Sequence, residues 1–415
     1  MPVFRRLVTW VVTVTMVGVS AVVLPTVMPA GAAARAPYPL PPSCAPSARL
    51  AARIPSLEAM QVQRSSSSPL KDVAIQPASL TPAQWGSLLD LAQRAGVGVV
   101  KVAMDWSAFE PSGPSADPYN WAAFKQFIGV VHARHMAVRF QIEGFPQWAR
   151  DAGDPTEDAS WWYSPRAQDE LERWATWIRS VVRHFGTTVS FYEIWNEENN
   201  PPFWPGGVSP EQYAQLLACT YVAAKSVNPH VRIVSGGLST NDVGYLEQLY
   251  RALGRYPLAS AYHHFFDMLG VHPYSGGRSP ALVLATQVGK QSFGIDDCNY
   301  LGYTLLHQVM ASKGESAKQM YFGEYGAPVT GYPAVDTVGF TQVPESTRAA
   351  WVGLAYRLAA RTPYVVAISW YTLYAESTWA LLRNPDGSTN PTTSWIETPS
   401  FAALAAVPSS RILTS

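Results

Sequence analysis

Eight times between residues 71 and 408, a short apolar run gives way to a longer amphipathic stretch. The runs are "VAIQPA", "VGVVKVAMDW", "AVRFQIEG", "VSFYEIWNE", "VRIVSGG", "MLGVHPYS", "QMYFGEYG" and "YVVAISWYTLY". Most are apolar throughout rather than alternating, the pattern of strands buried on both faces of a parallel sheet. The stretches between them carry helix-start signals, Thr81-Pro82 and Ser209-Pro210 among them. Eight βα units predict a single (β/α)8 barrel, a TIM barrel of the α/β class, with an open doubly wound sheet as the alternative. No G-x-G-x-x-G follows the first strand and no Walker motif occurs, so the usual dinucleotide and phosphate signals are absent.

Ahead of the barrel, "MPVFRR" leads into an apolar run from Leu7 to Leu24 and then "PTVMPAGAAARA". A positive start, an apolar middle and an A-x-A pattern make residues 1–34 a signal peptide, with an uncleaved anchor as the alternative. The expected destination is secretion or the cell envelope. Residues 35–70 are Pro- and Ser-rich and read as a linker or an irregular collar, and 71–408 as the catalytic domain. Cys44, Cys219 and Cys298 allow one disulfide with one thiol left over, in any of three pairings. His132 and His135 share a helix face, but no third ligand is in view and no Cys/His set has metal spacing. The balance of 30 basic against 30 acidic residues argues against nucleic acid as a partner.

In such a barrel the chemistry sits at the C-terminal ends of the strands. The polar and aromatic residues found there are Asp105, Trp106 and Glu110 after the second strand, and Glu143 after the third. The fourth ends in Asn196, Glu197 and Glu198, the sixth in His272 and Tyr274, the seventh in Glu324 and Tyr325, the eighth in Trp370 and Tyr371. Glu197 and Glu324 are thereby expected to face each other across the barrel mouth. Two facing carboxyls in different environments are what glycosidic bond cleavage needs, one protonated and one ionised. Strict alternation would put Glu193, Trp195 and Glu197 on one face and Asn196 on the other, unless the strand end bulges or twists. Glu193 would then point into the barrel and pair with Lys101 or Arg139. Glu198 reads as a solvated loop acid. His272 reads as a pocket residue or a satisfied core histidine, and Asp105 and Glu143 as substrate contacts or structural hydrogen bonds.

The motifs "EIWNEENNPPFW", "GVHPYS", "YFGEYGAP" and "ISWYTLY", taken in order, resemble the clan A glycoside hydrolases, most closely families 39 and 5. The resemblance spans roughly residues 71 to 405. It implies a retaining mechanism without a cofactor, in which Glu197 is the acid/base and Glu324 the nucleophile. It implies further that Asn196 binds the sugar 2-hydroxyl, that Tyr274 keeps the nucleophile ionised, that His272 lines the pocket and that Trp370 floors the sugar subsite. Two departures stand out. Lys101 occupies a place where relatives often carry Arg, and the two are not equivalent in holding a carboxylate. "EENN" replaces the commoner "EPN".

The segment "GFPQWARDAGDPTEDASWWYSP" is too long for a mere connector. Its Trp148, Trp161 and Trp162 are candidates for a sugar platform, with Trp204, Phe203 and Trp379 beside them. The expected function is an exported retaining β-glycosidase acting on a β-linked glycan. A binding protein that kept the fold and lost turnover is the rival, disfavoured by the intact Glu197 and Glu324. A nucleotide-dependent barrel enzyme is a distant third, with "GAPVTG" its faint phosphate site. The sugar, exo or endo action and the oligomeric state stay open.

Overall fold

The computed structural model describes residues 37–413, apart from 111, 114–120, 152–163, 283–298, 332–339, 375–377, 389 and 391. The signal segment expected over 1–34, Trp161, Trp162 and Cys298 lie outside the described residues. The strands are β1 (Leu70–Ala74), β2 (Val99–Asp105), β3 (Ala137–Glu143), β4 (Phe191–Asn196), β5 (Arg232–Ser239), β6 (Met268–His272), β7 (Gln319–Tyr325) and β8 (Val365–Trp370). All pair in parallel with their sequence neighbours, and β8 closes on β1 with Leu70 opposite Ala367 and Val73 opposite Trp370. The barrel is closed, and the open-sheet alternative is ruled out.

The helices α1 (Pro82–Arg94), α2 (Trp121–His132), α3 (Gln168–Phe185), α4 (Pro210–Val227), α5 (Val243–Leu253), α6 (Tyr303–Ser312), α7 (Glu345–Ala359) and α8 (Pro399–Ala406) follow the strands in turn. Two of the starts are those the sequence signalled. Thr81 and Gln84 form a reciprocal capping box ahead of Pro82, and Ser209 Oγ accepts from the Gln212 amide ahead of Pro210. No helix among the described residues is long and apolar enough to cross a membrane.

The barrel interior is layered. Its floor is apolar: Leu70, Val99, Phe191, Val234, Met268, Tyr321 and Val366 pack together with Val62. Above it stands a polar column. Arg139 Nε donates to Asp72 Oδ2 at 2.8 Å, its Nη1 pairs with Glu193, and its Nη2 donates to the Gly323 carbonyl at 3.1 Å. Tyr321 donates its hydroxyl to the same Asp72 oxygen at 2.7 Å. The partner of Glu193 is thus Arg139. Lys101 serves elsewhere.

The segment before β1 is a packed collar. Cys44 is disulfide-bonded to Cys219 of α4, Tyr262 accepts from the Ser47 amide, and Val62 bonds the Gln319 side chain. At the same end of the barrel Arg64 pairs antiparallel with Ile412, and the Ser65 and Leu413 amides donate to the Arg411 and Gln63 carbonyls.

Candidate active site

The site is built at the top of the polar column, and its pivotal local event is at the end of β4. Trp195 has φ 76° and Glu197 φ 44°, left-handed conformations that cost about 1–2 kcal/mol each for a side-chain-bearing residue. Such strain collects at functional sites. The turn at Trp195 breaks the alternation. Trp195 swings outward against Trp174 and Trp204 and donates its indole N–H to the Phe203 carbonyl. Asn196 turns inward, where its Oδ1 accepts from Gln141 Nε2 at 2.8 Å, leaving Nδ2 as a donor. Strict alternation had Trp195 in and Asn196 out; the twist reverses both.

Glu197 and Glu324 then meet. One carboxylate oxygen of each and a ring nitrogen of His272 all lie within 4.8 Å of one another. His272 Nδ1 sits 2.9 Å from Glu197 Oε1 and 3.7 Å from Glu324 Oε2, fully buried beneath both. Room for its ring comes from two glycines: a Cβ on Gly237 or on Gly323 would run into the imidazole. The other Glu197 oxygen accepts from the side-chain amide of Asn200 at 2.8 Å. The "EENN" departure therefore places a donor directly on Glu197, a role that its reading as a changed loop did not reveal.

Glu324 is surrounded by donors. Lys101 Nζ lies 3.0 Å from Oε1, and the Tyr274 hydroxyl donates to Oε2 at 3.0 Å. Burial pushes this carboxyl up, but the Lys101 charge and the hydrogen bonds from Lys101 and Tyr274 oppose it and hold Glu324 below the usual carboxylate range. Glu143 has the opposite fate. Burial, with Asp105 and Glu324 adding and Lys101 opposing, pushes it up to about 8. It is 5% exposed, and its Oε2 has no hydrogen-bonding partner among the described residues.

Other expected site residues sort differently. Asp105 Oδ1 accepts from the amide and hydroxyl of Ser107, capping a helical turn over Trp106–Phe109. Trp106 is 2% exposed, stacked on Trp177 and donating to Glu110 Oε2, so it is core between β2 and α3 rather than part of the mouth. Trp148, half-buried, packs edge-on against Trp106 and donates to the Glu110 carbonyl. Trp204 is 0% exposed behind Trp195 and Tyr213, out of a ligand's reach. A Trp204→Ala variant is accordingly expected to lose about 3–5 kcal/mol of stability in denaturant titration, the cost of an aromatic deleted from a core. Trp370 shares the outward register of Ile368 and is 1% exposed against Tyr325. Tyr371, half-buried and packed on Trp379 beside Tyr274, is the aromatic that β8 offers to the mouth. Phe203 is half-buried on the loop after Glu197.

Glu198 is not solvated. It is fully buried behind β5, close against Gly236, and neither carboxyl oxygen has a hydrogen-bonding partner among the described residues. Burial, with Glu197 adding, pushes it up to about 8, so it sits there as a neutral acid. The next residue, Asn199, explains why the segment turns inward: it bonds both the amide and the carbonyl of Ser239.

No protein-family model matches the sequence, and no curated protein matches it. Solved structures do match. A family 39 glycoside hydrolase from Bacteroides cellulosilyticus superposes with TM-score 0.58 at 19% identity, over 85% of this chain and 64% of that one. A monomeric β-xylosidase from Caulobacter crescentus gives 0.56 at 17%, over 82% and 69%. The endoglucanase Cel5A from Thermotoga maritima gives 0.51 at 15%, over 84% and 100%. The chain thus spans less than two thirds of the Bacteroides protein and all of the Thermotoga one. In fold, this chain is similar to the clan A glycoside hydrolases, with families 39 and 5 among its structural neighbours.

Proposed function

We propose that the chain is an exported retaining β-glycoside hydrolase that cleaves the O-glycosidic bonds of a β-linked glycan by double displacement. Glu324 attacks the anomeric carbon as the leaving oxygen departs with the proton of Glu197. Water, deprotonated by Glu197, then releases the sugar from Glu324. The reading rests on one observation above all: two carboxyls with oxygens within 4.8 Å stand in different settings, and of the two Glu324 is the one held by a cation and a hydroxyl donor. A gap of about 5–5.5 Å suits direct attack, whereas inversion needs about 6.5–9.5 Å for an intervening water. Asn196 Nδ2 is the donor assigned to the sugar 2-hydroxyl, and Glu143 and Tyr371 are assigned to the sugar ring. Export is supported by the features of residues 1–34 and by the Cys44–Cys219 bridge, which suits an oxidising compartment.

The test is a covalent trap. The mature protein is incubated with a panel of 2-deoxy-2-fluoro β-glycosides bearing good leaving groups, and adducts are mapped by mass spectrometry. A glycosyl ester on Glu324 is expected. An ester on another carboxylate overturns the assignment, and glycan binding without cleavage favours the non-catalytic rival.

The nucleophile must be ionised, so activity is lost as pH falls through the pKa of Glu324. Lys101→Met removes the largest influence that lowers it. The acid limb of kcat/KM is expected to move to higher pH by about one unit or more. An unmoved limb would show that Lys101 does not set the charge of Glu324.

A further inference from the structure

Two buried polar atoms beneath the carboxyl pair face each other with no hydrogen-bonding partner of their own among the described residues: His272 Nε2 and Glu193 Oε1, 4.0 Å apart. Both side chains are fully buried. The other Glu193 oxygen is taken by Arg139, which also holds Asp72. A guanidinium shared by two acids favours Glu193 as a carboxylate, an acceptor only.

The consequence lies on the far side of the imidazole. A neutral histidine carries one N–H, and a carboxylate beside Nε2 draws it there. Nδ1 is then a lone pair, and it points at Glu197 Oε1 from 2.9 Å. Among the described residues, the group placed to satisfy that lone pair is a protonated Glu197. Had the proton been on Nδ1, it would face Glu197 and Glu324 together and favour both as carboxylates, the wrong state for a general acid. Asn200 adds the complementary constraint, since its amide donates to Oε2 and leaves Oε1 as the oxygen that bears the proton.

We propose that Glu193 is a positioning residue: it fixes the Nε2–H tautomer of His272, and so keeps the proton of the general acid on Glu197 Oε1. The proposal rests on the reading of Glu197 as that acid. In the step it prepares, Glu324 bonds to the anomeric carbon, the bond from that carbon to the leaving oxygen breaks, and the Oε1 proton passes to the departing oxygen. The charged and titratable groups around His272 are Lys101 from β2, Arg139 and Glu143 from β3, Glu193 and Glu197 from β4, Tyr274 after β6 and Glu324 from β7. Among these, Glu193 is the group whose oxygen faces Nε2.

The direct test is the tautomer itself. The full chain, labelled with 15N-histidine, is studied by two-bond proton–nitrogen correlation, with His272 assigned by its loss in His272→Gln. A protonated Nε2 with a bare Nδ1 is expected; a protonated Nδ1, alone or with Nε2, overturns the proposal. In Glu193→Gln, Arg139 keeps the carbonyl oxygen and the amide N–H faces Nε2, so the imidazole proton is expected to move to Nδ1. Glycosides with alcohol leaving groups should then lose at least about tenfold more activity than dinitrophenyl glycosides, which need no acid. Equal loss on both would reduce Glu193 to a packing role. Should Glu193→Gln not fold, the spectrum of the unsubstituted chain still decides. Should no glycoside be cleaved, the glycosidase reading fails while the spectrum still reports the tautomer.

Discussion

Glu324→Gln is expected to lose kcat/KM on the order of 10⁴-fold or more, the scale on which enzymes respond to removal of a covalent nucleophile. The argument is local. Glutamine fills the same space and still receives the Tyr274 hydroxyl, so the loss reports the missing nucleophile rather than a collapsed pocket. It also leaves the Lys101 ammonium without its charge partner, 8% exposed, so a modest stability change accompanies it. Steady-state kinetics on an aryl β-glycoside, with circular dichroism as the folding control, make the check. A loss smaller than about tenfold would remove Glu324 from the nucleophile's role and move attention to Glu143.

Glu197→Ala carries the second large effect, and its signature is its dependence on the leaving group. General acid assistance is worth about 10²–10⁴-fold, and only where the departing oxygen is basic enough to need the proton. Cleavage of alcohol-leaving glycosides should fall by that amount, while a dinitrophenyl glycoside should still glycosylate Glu324 and then stall, because the water that releases the sugar has lost its base. Azide needs no base. Added azide should therefore restore turnover and yield a glycosyl azide of retained configuration. A variant that slows all substrates alike and ignores azide would mean that Glu197 is structural.

The barrel and the identities of its mouth residues were legible because both follow from short-range rules. Apolar runs of strand length, helix caps at Thr81 and Ser209, and acids placed where runs stop depend on the chain's own order. What was not legible depends on one backbone torsion or on distant neighbours. The left-handed Trp195 exchanges the faces of Trp195 and Asn196, and a period-2 reading has no means of seeing a single reversed φ. Glu198 resembled a surface acid because its burial is imposed by β5 and α4, elements distant in sequence, through Asn199 and Ser239. Trp204 resembled a platform because indoles suit sugar rings and cores alike, and burial alone distinguishes them. At the end of β8, Trp370 is buried against Tyr325 and the neighbouring Tyr371 packs at the mouth instead, since one position along a strand means the opposite face. Asn200 could have been suspected from its place three residues after Glu197 in a turn. The choice of Arg139 over Lys101 for Glu193 could not, since both lie on inward-facing positions of neighbouring strands.

The pairing of residues 63–65 with 411–413 settles which way the molecule can be held. Both stretches run beneath the strand N-termini, with Arg411 bonding the Gly96 and Val97 carbonyls just ahead of β2. The Glu197–Glu324 pair opens at the opposite pole, so an attachment made through Leu413 leaves the mouth unobstructed. A molecule immobilised or fused there would present its barrel mouth outward.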